Sequence, residues 1–287
     1  MTIRLAHLSD IHFGGENTAA ASAALAYVNA RAFDLVVVSG DLTRYGEPAE
    51  FRAAAAWLAA ISGPKLITPG NHDSPYFAVG QRILAPFHRF ESCIGPAHEQ
   101  SHRAQGLAVR GLNTARGAQP RLNWSKGQIS PGQVARTLAW FADAPADFAR
   151  VVVCHHPLSE MIGGPMTARV WGGGKATRAF AEGGVDLVLS GHIHAPFVWP
   201  YPHGDGRTYA AGAGTLSVRE RGTPPGFNVI ELDRAAIRIA ALAWSGSVFE
   251  PFRTWSLDRR LNGSGRPAAT HEVHDDRNQE QNQEDVE

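Results

Sequence analysis

Residues 184–197 read GVDLVLSGHIHAPF. Val185–Leu189 is a short, mostly apolar run of the kind a sheet buries, and His192 and His194 follow a glycine where that strand should end. Side chains two apart in extended chain point the same way, so the two imidazoles are expected to converge, as metal ligands do. The stretch also divides the chain. Before it, strand-like runs (IRLAHL 3–8, DLVVVSG 34–40, KLITPG 65–70, LAVRGLN 107–113, RVVVCHHP 150–157) alternate with alanine-rich helical ones (18–31, 47–61, 130–144, 176–184), and 74–90 reads as broken helix. The β-branched runs are typical of strands buried on both faces. Ser130 is the expected N-cap of its helix, with Pro131 just inside it. After the stretch, FVWPY, RTYAAGAG, GFNVIEL and IRIAALAW are short runs parted by turn residues, and they read as an antiparallel series. This order implies an α/β fold: a four-layer α-β-β-α sandwich, two packed mixed β-sheets flanked by helices.

Composition bounds the function. The chain has 287 residues, 44% of them hydrophobic, enough core for one domain over 1–261. Residues 262–287 are polar, acidic and nearly free of aliphatic side chains, and are expected to form a disordered tail. Charge is zero overall but uneven: seven acids and one base over 271–287 give −6, and 26 bases and 20 acids over 1–270 give +6. A mildly basic body suits an anionic small molecule. No concentrated Lys/Arg stripe marks a nucleic-acid surface, so no nucleic acid is expected as a partner. No apolar run is long enough for a membrane-spanning helix. The opening MTIRLAHLSD passes straight into a strand pattern, so a secretory leader is not expected. Cys93 and Cys154 make no disulfide framework, and a cytoplasmic location is expected.

Each early strand ends in metal-competent groups. The first closes in SDIH (Asp10, His12), the second in SGD (Asp41) and the third in PGNHD (Asn71, His72, Asp73). The strand in the 150s closes in CHHP (His155, His156), and the last in GHIH (His192, His194). Ligands of α/β sheets bind beyond the carboxyl ends of strands, so these ends are expected to meet on one edge. Mixed carboxylate, amide and imidazole ligation suits Mn, Fe, Zn or Co. A central carboxylate such as Asp41 can bridge two ions, and two-metal sites are a standard device of phosphoryl transfer.

The series Asp10-x-His12, Gly40-Asp41, Gly70-Asn71-His72-Asp73, His155 and Gly191-His192-x-His194 resembles the calcineurin-like metallophosphoesterase superfamily, over roughly residues 3–255. The longer phrases GDLTRYGEPAEF, PGNHDS, HHPL and GHIHAP look most like the branch that holds class III cyclic-nucleotide phosphodiesterases and glycerophosphodiesterases. The resemblance implies Asp10, His12, Asp41 and His194 around a first metal, Asp41 bridging to a second, and Asn71, His155 and His192 completing that second site. It implies two divalent or trivalent ions (Mn, Fe, Zn or Co) and a metal-bridging hydroxide that attacks a small phosphodiester of cyclic-nucleotide or glycerophosphodiester type. His72 would then be the catalytic histidine that binds no metal, donating a proton to the leaving alkoxide or stabilising its charge. In CHHP the family places its ligand two residues before the proline, which selects His155 and leaves His156 a hydrogen-bonding role. Asp73 would orient backbone or a histidine.

Many phosphatases of the superfamily carry a further acidic or amide residue soon after the GD. Here Leu42-Thr43-Arg44 follow, which favours the phosphodiesterase branch. Alternatives on the same core are a phosphomonoesterase, a lipid-precursor pyrophosphatase, a nuclease and a non-catalytic scaffold. The intact ligand set weighs against the scaffold, and the missing basic groove weighs against the nuclease. Relatives of this branch often pair, so the resemblance also allows a homodimer through the late strands.

Other residues read as structural. His7 is expected to be packed or hydrogen-bonded within its strand, and Cys154 to be a small buried hydrophobe. His88, His98, His102 and His203 fall in loop-rich regions, and His271 and His274 in the tail. The glycine-rich stretch 161–175 reads as a surface loop, with a lid over the site as the sharper alternative.

Overall fold

The computed structural model describes residues 2–121, 123–160, 170–260 and 273–274. Most of the glycine-rich 161–175 stretch, and the expected tail apart from the backbone of Val273–His274, lie outside the described residues. The chain runs β1 (Ile3–Leu8), α1 (Thr18–Asn29), β2 (Leu35–Val38), α2 (Pro48–Ala59), β3 (Lys65–Ile67), α3 (Val79–Leu84), α4 (His88–Cys93), β4 (Gln100–Ala104), β5 (Leu107–Leu112), α5 (Pro131–Ala142), β6 (Ala149–Cys154), α6 (Gly173–Glu182) and β7 (Leu187–Ser190). Strands follow: β8 (Phe197–Pro200), β9 (Tyr209–Gly212), β10 (Gly226–Leu232), β11 (Ala236–Trp244), β12 (Phe249–Asp258) and β13 (Val273–His274). One sheet has the order β13-β12-β11-β10-β1-β2-β3, the other β4-β5-β6-β7-β9-β8.

Period-two alternation sorts the apolar runs into layers. Ile3, Leu5, Leu35 and Val37 face the second sheet and pack with Val109, Val151, Val153, Leu187 and Leu189. Their neighbours Ala6, Leu8, Val36 and Val38 face the other way, onto Ala20, Ala24, Phe51 and Leu58 of α1 and α2. On the far side, α5 and α6 place Val134, Phe141 and Phe180 against Val152 and Val188. Both faces of β1 and β2 are buried, which is why the LVVV of β2 is apolar without a break. The result is the expected four-layer sandwich of two mixed sheets flanked by helices.

Local signals hold at the helix starts. Ser130 Oγ accepts the Gln133 N–H at 3.2 Å, with Pro131 in the first turn of α5. The broken helix of 74–90 resolves into α3 and α4, parted at Ala85-Pro86, where proline lacks the N–H a continuing helix needs.

Two expectations change. The late strands are not one antiparallel series: β9 pairs with β7 in parallel, Leu189 opposite Ala211, whereas β10 turns to the other sheet beside β1. Strand β4 carries His102 in a region read as loop. It is an edge strand paired with β5 alone, and its half-exposed face needs no apolar alternation that a sequence pattern could reveal.

His7 is fully buried, as expected of a packed residue. Its Nε2 lies 2.9 Å from Ser39 Oγ, and Asn228 Nδ2 lies 3.4 Å from its Nδ1. Burial lowers its pKa from 6.5 to about 3. The unfolded chain therefore takes up a proton that the fold refuses. The contribution is full above pH 6.5 and is lost as pH falls from there towards about 3, by about 1.4 kcal/mol per pH unit. In urea unfolding at about pH 7.5 and 5.5, the wild type is expected to lose about 1.4 kcal/mol more than His7→Gln, which cannot titrate. An equal loss in the two proteins would remove His7 as the cause.

Candidate metal centre

Strands β1, β2 and β3 run parallel, as do β5, β6, β7 and β9. The loops leaving their carboxyl ends are tied to each other. Asp10 N donates to Gly40 O at 3.0 Å, Gly191 N to His155 O at 2.9 Å, and Ala213 N to Ser190 O at 2.9 Å. Bonds also cross between the sheets: His155 Nδ1 lies 2.8 Å from Ser39 O, and His192 N donates to Asp10 Oδ2 at 2.9 Å.

Among the described residues, the non-glycine positions with positive φ are Asp10 (54°), His12 (54°), Asp41 (51°), His192 (70°) and His194 (65°). All are candidate ligands. Left-handed backbone costs roughly 1–3 kcal/mol at a non-glycine residue and persists where surrounding structure enforces it, commonly at functional sites. It also replaces the reason given above for convergence. Strands β1 and β7 end at Leu8 and Ser190, so neither pair sits in extended chain. Asp10 and His12 do fall in one group with His194, but His192 falls in another, with His155 and His156.

The first group is tight. His194 Nε2 lies 3.1 Å from Asp10 Oδ1 and 3.2 Å from His12 Nε2. In the second, His155 Nε2 lies 3.3 Å from Asp41 Oδ2 and 3.3 Å from His192 Nδ1. Asp41 Oδ2 is also 3.8 Å from His12 Nε2, so this carboxylate stands between the two groups. Asn71 lies beside His72 in the wall of the adjoining cleft.

The donor set fits cations. A carbonyl oxygen only accepts, so His12, His155 and His194 donate Nδ1–H to Thr43 O, Ser39 O and Arg219 O. That leaves each Nε2 a lone pair in the neutral ring. Asp10 Oδ1 and Asn71 Oδ1 are buried with no hydrogen-bond partner. The other carboxylate oxygens, Asp10 Oδ2 and Asp41 Oδ1, accept the N–H groups of His192 and His72. Lone pairs this close require positive charge among them. Burial opposes a proton on His155, yet the Asp41 carboxylate pushes its pKa up to about 9. Burial, and then charged His155, push His192 down to about 3. An incoming ion must displace that proton, so binding releases protons to solvent.

The neighbouring residues sort by their partners. His156 is engaged on both sides, with Nδ1 2.9 Å from Thr114 Oγ1 and Nε2 2.8 Å from Ser125 O, so the hydrogen-bonding role falls to it. Asp73 accepts from Leu42 N, Thr43 N and Gly70 N at 2.8–3.2 Å, which orients the loops that carry Asp41 and Asn71. His72 has Nδ1 2.7 Å from Arg44 O and Nε2 3.4 Å from Arg219 Nη1. Together with Asn71, Arg44, Tyr45, Tyr76 and Trp124 it lines a cleft of about 660 Å³.

Sequence reasoning missed Arg219 and Thr215, whose hydroxyl donates to Asp10 O at 2.6 Å. Both follow β9, and only the parallel course of that strand brings them to this edge. The sole sequence signal was the charged RER at 219–221, beyond a presumed strand.

Gly191 is required by close approach. A Cβ there would overlap Ser9 Oγ and Asp10 Oδ2. Gly191→Ala is expected to displace the Asp10 carboxylate, lowering metal content and turnover by on the order of 10²-fold, the effect of roughly 1 Å of misplacement. Metal analysis and a phosphoester assay on one sample check this; a variant with full metal and full rate would show that the loop yields freely.

Fold and site together define a metal-binding hydrolase of the double-sheet sandwich type. The profile of the Calcineurin-like phosphoesterase family matches residues 3–196; the chain belongs to that family and is a phosphoric ester hydrolase. A probable cyclic nucleotide phosphodiesterase of Synechococcus is 26% identical over 251 residues, 81% of this chain and 89% of that one. The glycerophosphodiester phosphodiesterase GpdQ of Enterobacter lignolyticus is 38% identical over 80 residues, 24% of this chain and only 29% of the relative. A dimetal phosphatase from Danio rerio shares the fold, with a TM-score of 0.65 at 11% identity, covering 90% of this chain and 99% of that one.

Proposed function

We propose that the protein is a dinuclear metal-dependent phosphodiesterase acting on a small phosphodiester. The observation that carries this reading is that the residues with left-handed backbone, Asp10, His12, Asp41, His192 and His194, all belong to the groups whose ligand atoms converge. Asp10, His12, Asp41 and His194 would hold one ion, and Asp41, Asn71, His155 and His192 the other. When bound, such ions (Mn, Fe, Zn or Co) supply Lewis acidity to the phosphoryl oxygens and activate water as the nucleophile.

The chain's own groups do the rest. The Thr43, Ser39 and Arg219 carbonyls hold the imidazole tautomers. His72, anchored through Nδ1, turns Nε2 towards the cleft, where it serves the leaving oxygen. Donation from Nε2 needs the imidazolium, because Nδ1–H is committed to Arg44 O. Burial lowers the His72 pKa, and the negative charge of a bound phosphoester opposes that shift. The adjacent Arg219 guanidinium is placed to meet a phosphoryl oxygen.

The diester preference is supported by the names of both curated relatives and by Leu42-Thr43-Arg44 after Asp41. Cyclic-nucleotide and glycerophosphodiester substrates come from those relatives. The reading keeps a small-molecule substrate, a cytoplasmic location and a homodimer as its companions; no helix among the described residues is long and apolar enough to cross a membrane.

The test is an assay with Mn²⁺ against bis(p-nitrophenyl) phosphate, p-nitrophenyl phosphate and cyclic AMP, with metal content measured alongside. The diester should turn over faster than the monoester and stop with chelator. Cleavage of the monoester alone would overturn the diesterase reading, and failure to bind metal would favour the scaffold.

A further inference from the structure

Of the eight large apolar side chains that are exposed among the described residues, five fall between positions 76 and 84: Tyr76, Phe77, Val79, Ile83 and Leu84. Singly scattered apolar residues are ordinary, but a contiguous set marks a contact surface. This set begins at the catalytic cleft, since Tyr76 and Val79 line the same wall as Asn71 and His72. The rings of Tyr45, Tyr76 and Phe77 stand 5.2–5.7 Å apart, centroid to centroid.

Helix α3 continues the surface outward. Its inner side is anchored by buried Arg82, whose Nε donates to Gly117 O at 2.8 Å. Val79 and Ile83, four apart, share a helix face. Leu84 is 86% exposed, and a Cβ on Gly80 would meet nothing. An apolar track thus leads away from His72 and along α3. A nucleobase stacked on Tyr45 and Tyr76 would leave Val79, Ile83 and Leu84 in water, whereas an extended chain would cover them.

We propose that the substrate is an amphipathic phosphodiester, one of whose ester groups is an alkyl or acyl chain lying along Tyr45, Tyr76, Phe77, Val79, Ile83 and Leu84. This rests on the phosphodiesterase reading and names the substrate class for the same site.

The test uses the Mn²⁺-loaded full chain and three p-nitrophenyl alkyl phosphates (methyl, hexyl and decyl), each below its aggregation concentration. In each, water oxygen bonds to phosphorus, the bond from phosphorus to the nitrophenyl oxygen breaks, and nitrophenolate leaves. On a half-open track kcat/KM is expected to rise about 1.5-fold per methylene, a part of the roughly fourfold that full burial gives, so about eightfold from methyl to hexyl and on the order of fortyfold to decyl. In Phe77→Ser and in the double variant Ile83→Ser/Leu84→Ser, the decyl-to-methyl ratio should fall towards one. Because the ratio is taken within each protein, a general loss of activity does not disturb it.

Equal rates for the three esters in the wild type, or a ratio that survives both variants, would overturn the proposal. So would variants that turn a dimer into a monomer while the ratio stays, since a second copy would then own the patch. If the loaded enzyme leaves all three diesters intact, the phosphodiesterase reading fails and the track falls with it, a pattern distinct from equal rates.

Discussion

Asp41→Ala is expected to lose both metal ions and to lower kcat/KM by at least about 10³-fold, more than the 10–100-fold typical of residues that only support a ligand. The reason is position. Asp41 Oδ2 lies 3.3 Å from His155 Nε2 and 3.8 Å from His12 Nε2, so one oxygen serves both groups. Its other oxygen accepts the His72 N–H at 2.8 Å, so the same truncation also loosens the candidate catalytic histidine. Alanine at a φ of 51° adds strain that asparagine tolerates better. Asp41→Asn is therefore the companion variant: it keeps the left-handed turn and an acceptor for His72 N–H, and replaces the charged oxygen between the two groups by an amide NH2 that offers no lone pair. Metal analysis with the diester assay reads both. An Asp41→Ala protein that retained two ions per chain would show that the carboxylate does not bridge.

His72→Ala should act differently, lowering turnover by about 10²–10⁴-fold, the usual worth of a general acid or base, while metal content stays. His72 sits near enough to His12 and Asp41 to belong to a metal-competent group, so retention of metal is the decisive reading. Its Nδ1 is held by Arg44 O and its Nε2 faces Arg219, which is the setting of a group that serves substrate. If it assists the leaving oxygen, the loss should be large for an alkoxide and small for nitrophenolate, which leaves with little help. A variant stripped of metal, or an equal loss for both leaving groups, would take that role from His72.

The candidate site was legible because chemistry-bearing side chains cluster at strand ends, and several strand ends are visible as apolar runs that stop at glycine. Asp41, Asn71 and His192 each follow such a glycine, whereas Asp10 and His155 follow Ser9 and Cys154 at the ends of their strands. The choice of His155 over His156 was not legible from spacing, since adjacent imidazoles differ only in what surrounds them. It came from resemblance; the structure adds that His156 is hydrogen-bonded to Thr114 Oγ1 and Ser125 O. Strand β4 was invisible because an exposed edge imposes no apolar period. The direction of β9 was misread because a four-residue apolar strand looks the same in either sense.

The sequence by itself determined the layers and the inventory. Alternation along β1 and β2 decides which residues face each core, and that pattern lies within a few neighbours on the chain. Only the tertiary structure decided how the inventory meets. His12 and His194 are 182 positions apart, and no local pattern can say that their lone pairs will share one space with Asp10 Oδ1. The left-handed turns at five candidate ligand positions, the separation of His192 from His194 and the arrival of Arg219 through a parallel β9 all depend on packing two sheets face to face. Local preference would refuse those turns, and the sandwich enforces them.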